Sequence, residues 1–316
     1  VIHGCRTIYP IPLGQACSFH PELVSEAASI AALEASSEGL RATFSPMIDV
    51  SRDPRWGRMM ESFGEDPYVN GIMGKAMVDG YQQKADTGIA ACLKHFAGYG
   101  AVNAGREYND VEISQRTFLE QYVKPFRMAL KAKPAMVMTA FNAIDRKPIS
   151  GNKELLKGLL RDKEGFEGTV ISDWGSIGQL EEQGVAAVQA IEAGVDIDMM
   201  SPAYMLCLEK LVESGKIPEA FVDESAFRVL MMKNQLGLFE NPFAGLGKSG
   251  KLTLHNREKA YQLAGESCVL LKNDKILPLS MKKKVIWAGP YTASRELLSR
   301  WSIFGEHESV ETIEEV

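Results

Sequence analysis

Cysteine is scarce in this sequence, and its spacing is irregular. The 316 residues contain five cysteines, an odd number, and no two of them form a C-x-x-C pair. A disulfide framework or a thiolate zinc site needs cysteines at short and regular spacings. We therefore expect neither disulfides nor a bound metal, and the cysteines leave the cellular compartment open. They are Cys5, Cys17, Cys92, Cys207 and Cys268.

Long apolar runs, a surplus of basic residues and nucleotide-binding loops are also absent. No apolar stretch approaches the roughly 20 residues of a membrane-spanning helix, so we expect no membrane partner. The net charge is −6 and the basic residues are scattered, which argues against nucleic acid as a partner. No G-x-G-x-x-G follows a predicted strand and no G-x-x-x-x-G-K-[ST] occurs, so we expect no nucleotide cofactor, and nothing indicates any other cofactor.

What the sequence does contain is enough apolar material for a large core. Hydrophobic residues make up 45% of the chain, and the length suits one barrel of eight βα units plus part of another domain. The sequence begins at Val1 rather than at a methionine. We expect a fragment or a processed piece whose targeting signal was lost upstream, so periplasmic, secreted and cytoplasmic locations all stay open.

Predicted strands and helices alternate along the first 235 residues. Their spacings require right-handed crossovers and a parallel sheet. The number of units predicts an α/β fold of the (β/α)8 TIM-like barrel type rather than a doubly wound sheet. Ser176 and Gln179 have capping-box spacing for one of the helices. The predicted strands are 43–48, 89–93, 135–141, 169–172 and 195–199, and the helices begin near residues 21, 67, 114, 150, 202 and 218.

The composition changes at residues 236–252, which are rich in Gly and Pro. We predict a barrel domain over 1–235, a linker and connecting helix over 236–266, and the beginning of an α/β sandwich domain over 267–316. Strands of that second domain are expected at 269–271 and 285–288. About fifty residues are too few to complete such a domain, so the rest of the same polypeptide is an expected partner.

One short segment, T-V-I-S-D-W-G over residues 169–175, ends a predicted buried strand with an acid and an aromatic residue. Catalytic groups lie at the carboxyl ends of the strands in barrels and in open parallel sheets. Asp173 therefore suggests a carboxylate that acts on a sugar ring, with Trp174 as a stacking wall. The alternative is that Asp173 only caps the next helix.

Other strand ends deliver cations. Lys94 and His95 can donate hydrogen bonds to adjacent hydroxyls, and we expect Lys94 or Arg58 to lower the pKa of Asp173 and keep it ionised. The alternatives are that Lys94 only neutralises a structural carboxylate and that ion pairs within the loop hold Arg58. Asp196 and Asp198 follow another strand, where we expect them to hold the barrel mouth together.

These residues lie within motifs that resemble glycoside hydrolase family 3, and the β-glucosidase branch fits best. The likeness extends over the whole chain, and several motifs in the same order make it specific. The motifs are S-R-D-P-R-W-G-R at 51–58, E-S-F-G-E-D-P at 61–67, K-H-F-A-G-Y-G at 94–100, I-S-D-W-G at 171–175 and S-C-V-L-L-K-N-D-K-I-L-P-L at 267–279.

The resemblance implies a retaining, exo-acting β-glucosidase that removes terminal non-reducing glucosyl residues from small β-glucosides or oligosaccharides through a covalent glycosyl-aspartate. Asp173 resembles the nucleophile and Trp174 the aromatic residue beside the subsite. Glu107 falls near a further acid that contacts the sugar, and Phe141 falls where related enzymes often have an aromatic residue. The implied ligands of the sugar hydroxyls are Arg58, Lys94 and His95.

The sequence departs from the family pattern in three places. The family usually has a sugar-binding Asp directly before the first V-I-H-G, and the chain begins one residue too late to include it. The general acid/base Glu of the β-glucosidase branch falls past Val316, and Glu107 is the best candidate for that role within the chain. Tyr99 occupies the place of a catalytic His in the N-acetylglucosaminidase branch, which disfavours N-acetyl sugars. We expect the isolated chain to be an impaired hydrolase.

Other functions stay open on the sequence alone. A β-xylosidase or another β-glycosidase would use the same residues, and a non-hydrolytic sugar-binding fragment would use the hydroxyl ligands alone. A Schiff-base aldolase would use Lys94 at its strand end. Phosphorolysis would replace water by phosphate as the acceptor.

Overall fold

Parallel strand segments lie side by side in the order in which they occur along the chain. The computed structural model describes residues 6–83, 87–248, 253–280, 282–298, 308 and 310–315. Strands β1 (Cys92–Phe96), β2 (Met136–Thr139) and β5 (Thr169–Ile171) form a sheet in which both neighbouring pairs are parallel. Parallel bridges Ala42–Ala90, Met47–Lys94 and Ile171–Ile197 add one segment at each side. This sequential order of parallel segments is the one expected of a (β/α) barrel.

The strands are buried because helices cover the outside of the sheet. Every residue of β2 and β5 is buried, and most are β-branched or otherwise apolar. Two predicted strands are shorter than expected, since 43–48 and 195–199 contribute only the isolated bridges. A short antiparallel pair, β3 (Ala143–Ile144) and β4 (Lys147–Pro148), lies in the loop after β2.

Most predicted helices form within one to two residues of their expected bounds. Two segments differ, because residues 118–123 and 154–163 have the wider π-helical hydrogen bonding. The α-helices are α1 (Pro12–Cys17), α2 (Pro21–Ser37), α3 (Pro67–Gln82), α4 (Gln115–Thr117), α5 (Lys124–Ala129), α6 (Gln183–Ala193), α7 (Ala203–Glu213), α8 (Glu219–Gln235) and α9 (Leu254–Glu266). Single 3₁₀ turns span Met59–Glu61, Tyr99–Ala101, Asn103–Gly105, Leu130–Ala132, Ile149–Gly151 and Ser176–Gln179.

Local chemistry explains where several helices begin. The Asp66 carboxylate accepts hydrogen bonds from the backbone N–H groups of Tyr68 and Val69, and Pro67 has the fixed φ suited to a first helical position. The capping box predicted at Ser176 is wrong. Its hydroxyl bonds that of Ser150, 2.8 Å away, so it links two loops instead of capping a helix.

Asp196 has a structural role, but the expected place at the barrel mouth is wrong, because it sits in a buried ion cluster at the amino ends of the strands, where Arg161 also donates to the backbone oxygens of Gly168 and Gly194. Its carboxylate accepts from Arg161 at 2.7 Å, from Arg228 at 2.9 Å and from the backbone N–H of Val170 at 2.7 Å. Asp198 instead accepts from Ser201 at 2.7 Å. The two carboxylates therefore brace separate parts of the fold, and Asp196 ties α8 and the π-helical segment to β5.

The strands predicted for the second domain are wrong. Residues 269–271 and 285–288 have no strand pairing, and Leu271 and Ile286 are about nine-tenths exposed. A strand requires a partner for its backbone, and the described residues supply none here. The connecting helix does form, as α9, and Asn256 joins it to Glu34 of α2 by a buried hydrogen bond of 2.9 Å. Of the helices described, none combines the length and apolarity needed to cross a bilayer.

The contact between α2 and α3 yields a test of packing. A Cβ added at Gly80 of α3 would lie 2.1 Å from the backbone oxygen of Ser25 and 2.7 Å from the Cβ of Ala28. We therefore expect Gly80→Ala to lower the free energy of unfolding by about 1–3 kcal/mol, through overpacking. Denaturant unfolding followed by circular dichroism would measure it.

The matched control is Gly265→Ala in α9, where an added Cβ meets nothing within 4 Å. Alanine should leave stability unchanged or raise it by up to about 1 kcal/mol, since glycine is the poorer helix former. Equal effects of the two substitutions would contradict the close packing of α2 on α3.

Candidate active site at the carboxyl ends of the strands

Asp173 lies two residues beyond the end of β5 and is 9% exposed. Its Oδ1 accepts a 2.7 Å hydrogen bond from the backbone N–H of Trp174. Its Oδ2 is buried and has no hydrogen-bond partner, and His95 Nε2 lies 3.7 Å from it. A buried acceptor without a donor is costly in a fold, so this oxygen is a candidate for direct action on a ligand.

The electrostatic environment of Asp173 differs from the expected one. Burial raises the pKa of its carboxyl above the ordinary value, although the Trp174 N–H, Arg58 and Lys94 act in the opposite direction. The expectation that the cations lower the pKa of Asp173 is therefore wrong in its net sign. The sequence shows which charges are near, but it does not show how completely the strand end is desolvated.

Lys94 and His95 both serve the site because β1 contains an irregularity. Leu93 pairs with Val137 of β2, and the next aligned pair is Phe96 with Thr139, so β1 has one extra residue. Neighbouring side chains on a regular strand point to opposite faces, and a bulge re-aims one of them. His95 is thereby buried beside Asp173, while Lys94 lies 4.0 Å from Glu61.

His95 is held by Asp49, an acid that the sequence analysis did not single out. Asp49 Oδ2 is 2.8 Å from His95 Nδ1 and accepts the backbone N–H of His95 at 3.0 Å. Burial raises the pKa of Asp49 to about 7 and lowers that of His95 well below its usual value, Arg58 and Lys94 adding to the latter. The signal for Asp49 was its place directly after the predicted strand 43–48.

Beside this pair, the Glu61 carboxylate lies between two cations, Arg58 and Lys94. Arg58 Nε donates to Glu61 Oε1 at 2.8 Å, and Arg58 Nη2 to the other oxygen at 3.1 Å. Burial opposes the charge on Glu61, but the bond to Arg58 holds the pKa of Glu61 below its usual value. Burial lowers the pKa of Lys94. Glu61, from the neighbouring motif at 61–67, therefore fixes the orientation of the Arg58 guanidinium.

Glu107 joins the same network from the loop after β1. The Trp56 Nε1–H and the Tyr99 hydroxyl both donate to its carboxylate, one to each oxygen. Arg58 Nη1 lies 4.0 Å from it and the guanidinium lies 5.5 Å from the centre of the Tyr99 ring. Tyr99, expected only as a marker of specificity, therefore links Glu107 to Arg58.

The aromatic residues lie at the solvent side of this network. Trp174 is 63% exposed, which leaves its ring available for contact with a ligand. Phe141 is half-buried and packs on the ring of Tyr108, with 4.7 Å between the ring centres. The Phe141 backbone oxygen accepts a hydrogen bond from Gln179. Phe141 thus belongs to the loop after β2 and makes no contact that ties it to Asp173.

The structure brings five of the seven predicted site residues into one connected cluster. Sequence reasoning missed Asp49 and gave no role to Glu61. In the ranges that the structure describes, no three His, Cys, Asp or Glu side chains are grouped so that they could hold a metal ion. Buried carboxylates, cations and an exposed indole can bind and act on a neutral polyhydroxylated ligand. The five are Arg58, Lys94, His95, Glu107 and Asp173.

Known proteins of one family resemble this chain. Residues 1–232 match the family model of the glycosyl hydrolase family 3 N-terminal domain. A periplasmic beta-glucosidase from Salmonella typhimurium is 40% identical over 96% of this chain, and a putative beta-xylosidase from Formosa agariphila is 39% identical over 88%. The chain spans 42% and 39% of the lengths of these relatives.

A solved structure supports the fold. The crystal structure of a beta-glucosidase from Listeria innocua in complex with glucose superimposes with a TM-score of 0.94 at 44% sequence identity. The match covers 99% of this chain and 46% of that protein. The chain therefore spans less than half of each of these three proteins.

The buried Asp49 carboxylate predicts how stability depends on pH. Its pKa rises from 3.8 when unfolded to about 7 when folded, so the folded state holds the proton more tightly and the free energy of unfolding falls as pH rises from about 4 to 7. Asp49→Asn removes this titration. We expect its stability relative to the unmodified protein to improve by a few kcal/mol, at about 1.4 kcal/mol per pH unit between pH 4 and 7, and to level off by pH 8.

Denaturant unfolding at pH 5, 6, 7 and 8 would measure this difference. The control is Asp53→Asn, in the same loop, where bonds to Arg55 lower the pKa of the carboxyl to about 2. Its stability difference should be flat over that range. Parallel curves for Asp49→Asn and the unmodified protein would show that Asp49 does not titrate there.

Proposed function

Because this chain belongs to glycosyl hydrolase family 3, we propose that it is the barrel portion of a retaining, exo-acting β-glucosidase. The single observation that carries the proposal is the Asp173 carboxylate. One of its oxygens is fixed by the Trp174 N–H and the other is buried without a donor at the carboxyl end of β5. That is the arrangement required of a nucleophile that is held in place but not yet engaged.

Asp173 attacks the anomeric carbon with its free oxygen, Oδ2. The C1–O bond to the leaving group breaks as the bond between C1 and Oδ2 forms, and a glycosyl-aspartate results. Water then cleaves this ester, and two inversions retain the β configuration. Desolvation, which raises the pKa of Asp173, also strips water from the attacking oxygen, while Arg58 and Lys94 keep the anion accessible near neutral pH.

Arg58, Lys94 and His95 bind the hydroxyls of the terminal sugar. Lys94 is an ammonium donor, and Arg58 offers a guanidinium already oriented by Glu61. Glu107 supports this set through Tyr99 and Trp56, with a carboxylate partly open to solvent that can accept from a hydroxyl. Paired donors and acceptors of this kind recognise neighbouring hydroxyls, which apolar surfaces do not.

Two aromatic residues contact the sugar or the leaving group. The exposed indole of Trp174 follows the nucleophile directly and stacks on the apolar face of the pyranose. Phe141, packed on Tyr108 in the loop after β2, is the second aromatic residue that we assign to the sugar-binding rim.

The general acid comes from outside the cluster. Glu61 is bonded to Arg58, Glu107 accepts from Trp56 and Tyr99, and Asp49 is bonded to His95. A retaining enzyme needs a second carboxyl group about 5–5.5 Å from the nucleophile and able to donate a proton. We place that Glu in a second domain of the same polypeptide. The chain covers only 42% of the length of its Salmonella relative, so a protein of that length has room for such a domain.

The domain division follows from this. We propose a barrel over residues 1–235, a linker and connecting helix over 236–266, and the first part of an α/β sandwich over 267–316. The exposed apolar side chains of 269–271 and 285–287 support the last assignment, since further strands of that domain would cover them. The family match over residues 1–232 agrees with the first boundary.

Small β-glucosides or oligosaccharides are the proposed substrates. The Salmonella relative is named a beta-glucosidase and the Listeria structure contains glucose, whereas the Formosa relative is named a putative beta-xylosidase. Glucose carries a hydroxymethyl group that xylose lacks. We favour glucose because the Listeria protein, whose structure contains glucose, is 44% identical to this chain, whereas the putative beta-xylosidase is 39% identical.

Covalent labelling tests the nucleophile. The 2-fluorine of 2-deoxy-2-fluoro-β-glucosyl fluoride slows the second step, so an adduct should accumulate on Asp173 in the full-length enzyme. Mass spectrometry should find it in the tryptic peptide Glu164–Lys210. The Asp173→Asn variant should form none, and Asp53→Asn should be labelled as usual. An adduct in another peptide would overturn the assignment, and faster labelling by the xylosyl analogue would favour a β-xylosidase.

The missing general acid predicts a selective defect. General acid catalysis is worth roughly 10²–10⁴ in rate, so residues 1–316 alone should cleave cellobiose slower than the full-length enzyme by at least that factor. Turnover of 2,4-dinitrophenyl β-glucoside, whose leaving group needs no proton, should fall much less. Rates on both substrates would measure this, and full activity of the chain on cellobiose would place the acid within it.

A further inference from the structure

Asp49 and His95 form a buried pair that the proposed mechanism uses only in part. His95 is assigned to a sugar hydroxyl, but nothing so far explains why an acid lies behind it. Asp49 is 2% exposed and His95 1% exposed. Asp49 Oδ2 accepts the backbone N–H of His95 and lies 2.8 Å from Nδ1 of the same residue, while Oδ1 has no partner. On the other side of the ring, Nε2 faces Asp173 Oδ2 at 3.7 Å.

The number of protons on this pair decides what Nε2 can do. With Asp49 ionised and the imidazole neutral, Nδ1 carries the hydrogen that Asp49 accepts, and Nε2 has only a lone pair. One additional proton gives either a neutral acid hydrogen-bonded to Nδ1 or an imidazolium. Nε2 carries a hydrogen in both forms. The result therefore does not depend on which microscopic form the pair adopts.

We propose that Asp49 is a positioning residue. When the Asp49–His95 pair takes up or releases one proton, Nε2 of the ring changes between a hydrogen-bond donor and a lone pair facing Asp173. In the protonated pair, Nε2 carries a hydrogen 3.7 Å or less from the Asp173 oxygen that has no other donor, so the N–H dipole stabilises the anion, and a closer approach would complete a hydrogen bond. In the deprotonated pair, a lone pair faces that carboxylate. The protonated pair is therefore the form that supports nucleophilic attack, an inference that rests on the proposed role of Asp173.

The charges around the pair are consistent with a titration inside the working pH range. Arg58 and Lys94 disfavour a proton on the pair, whereas Glu61, whose carboxylate lies in the same network, favours one. Tyr99 packs edge-on against the imidazole, with 5.0 Å between ring centres, and carries Glu107 behind it. Burial raises the pKa of Asp49 to about 7, which places the proton exchange near neutrality. The charged and titratable groups that face the pair are Arg58, Glu61, Lys94, Tyr99, Glu107 and Asp173.

Nuclear magnetic resonance of the ¹⁵N-histidine-labelled chain observes the exchange directly. The sequence has five histidines, and His95→Gln would identify the signals of His95. As pH falls from 9 to 5, Nε2 of His95 should change from unprotonated to protonated. In Asp49→Asn, whose amide oxygen can accept the Nδ1–H but cannot take up a proton, Nε2 should stay unprotonated over this range. The Asp53→Asn control should titrate as the unmodified protein does.

Kinetics of the full-length enzyme tests the consequence. With 2,4-dinitrophenyl β-glucoside, kcat/KM should fall as pH rises through the titration seen for Nε2. In Asp49→Asn this decrease should disappear, and kcat/KM at the lower pH should be about tenfold to hundredfold smaller, the range expected when the Nε2–H no longer stabilises the charged Asp173 oxygen. Asp53→Asn should keep both the rate and the profile.

The outcomes separate the two proposals. An Nε2 signal that does not change between pH 5 and 9 in the unmodified protein, or that changes equally in Asp49→Asn, would overturn the role of Asp49. So would an unaltered pH profile of Asp49→Asn in an active enzyme. Failure of the proposed function would instead appear as no glycoside turnover or labelling, and the resonance experiment would still report on the pair. If Asp49→Asn does not fold, the titration of the unmodified protein decides alone.

Discussion

The desolvation of carboxylates at the ends of the strands is the constraint on which this site depends. An acid removed from water must gain hydrogen bonds and nearby cations, or take up a proton. Asp173, Asp49 and Glu61 meet this requirement in different ways. Glu61 is bonded to Arg58 and stays readily ionised, whereas burial dominates for Asp49 and Asp173 and raises the pKa of both. Side chains that share the same carboxyl group thereby acquire different properties within one cluster.

The sequence predicted the parts of the structure that depend on local pattern. The apolar runs, the proline and Asp66 at the start of α3 and the alternation of elements predict the barrel, because each signal acts over a few residues. Strand ends meet at one edge of a parallel sheet, so the residues that follow them could be grouped before the structure was known. The family motifs then indicated roles for Arg58, Lys94, His95 and Asp173, which the structure places in one network.

Features that depend on the environment could not be predicted in this way. The extra residue in β1 that lets Lys94 and His95 serve one site has no clear sequence signal, since it arises from pairing with β2. The sign of the pKa shift of Asp173 needs the depth of burial as well as the neighbouring charges. Asp49 follows a predicted strand, but so do other acids, and only its contact with His95 in the structure distinguishes it. The apolar pattern of residues 285–288 predicts a strand, but none of the described segments pairs with it.

The balance of charge in the cluster agrees with the chemistry proposed for it. Four carboxyl groups, from Asp49, Glu61, Glu107 and Asp173, lie around two cationic side chains, Arg58 and Lys94, while burial disfavours charge on His95. Even when the Asp49–His95 pair is protonated, the other three carboxyl groups outnumber the two cations. A surplus of negative charge in a poorly solvated site raises the affinity for a proton or for any positive species. Cleavage of a glycoside develops positive charge on the ring in its transition state. A site with this surplus would bind that transition state better than the neutral substrate, as catalysis by the proposed mechanism requires.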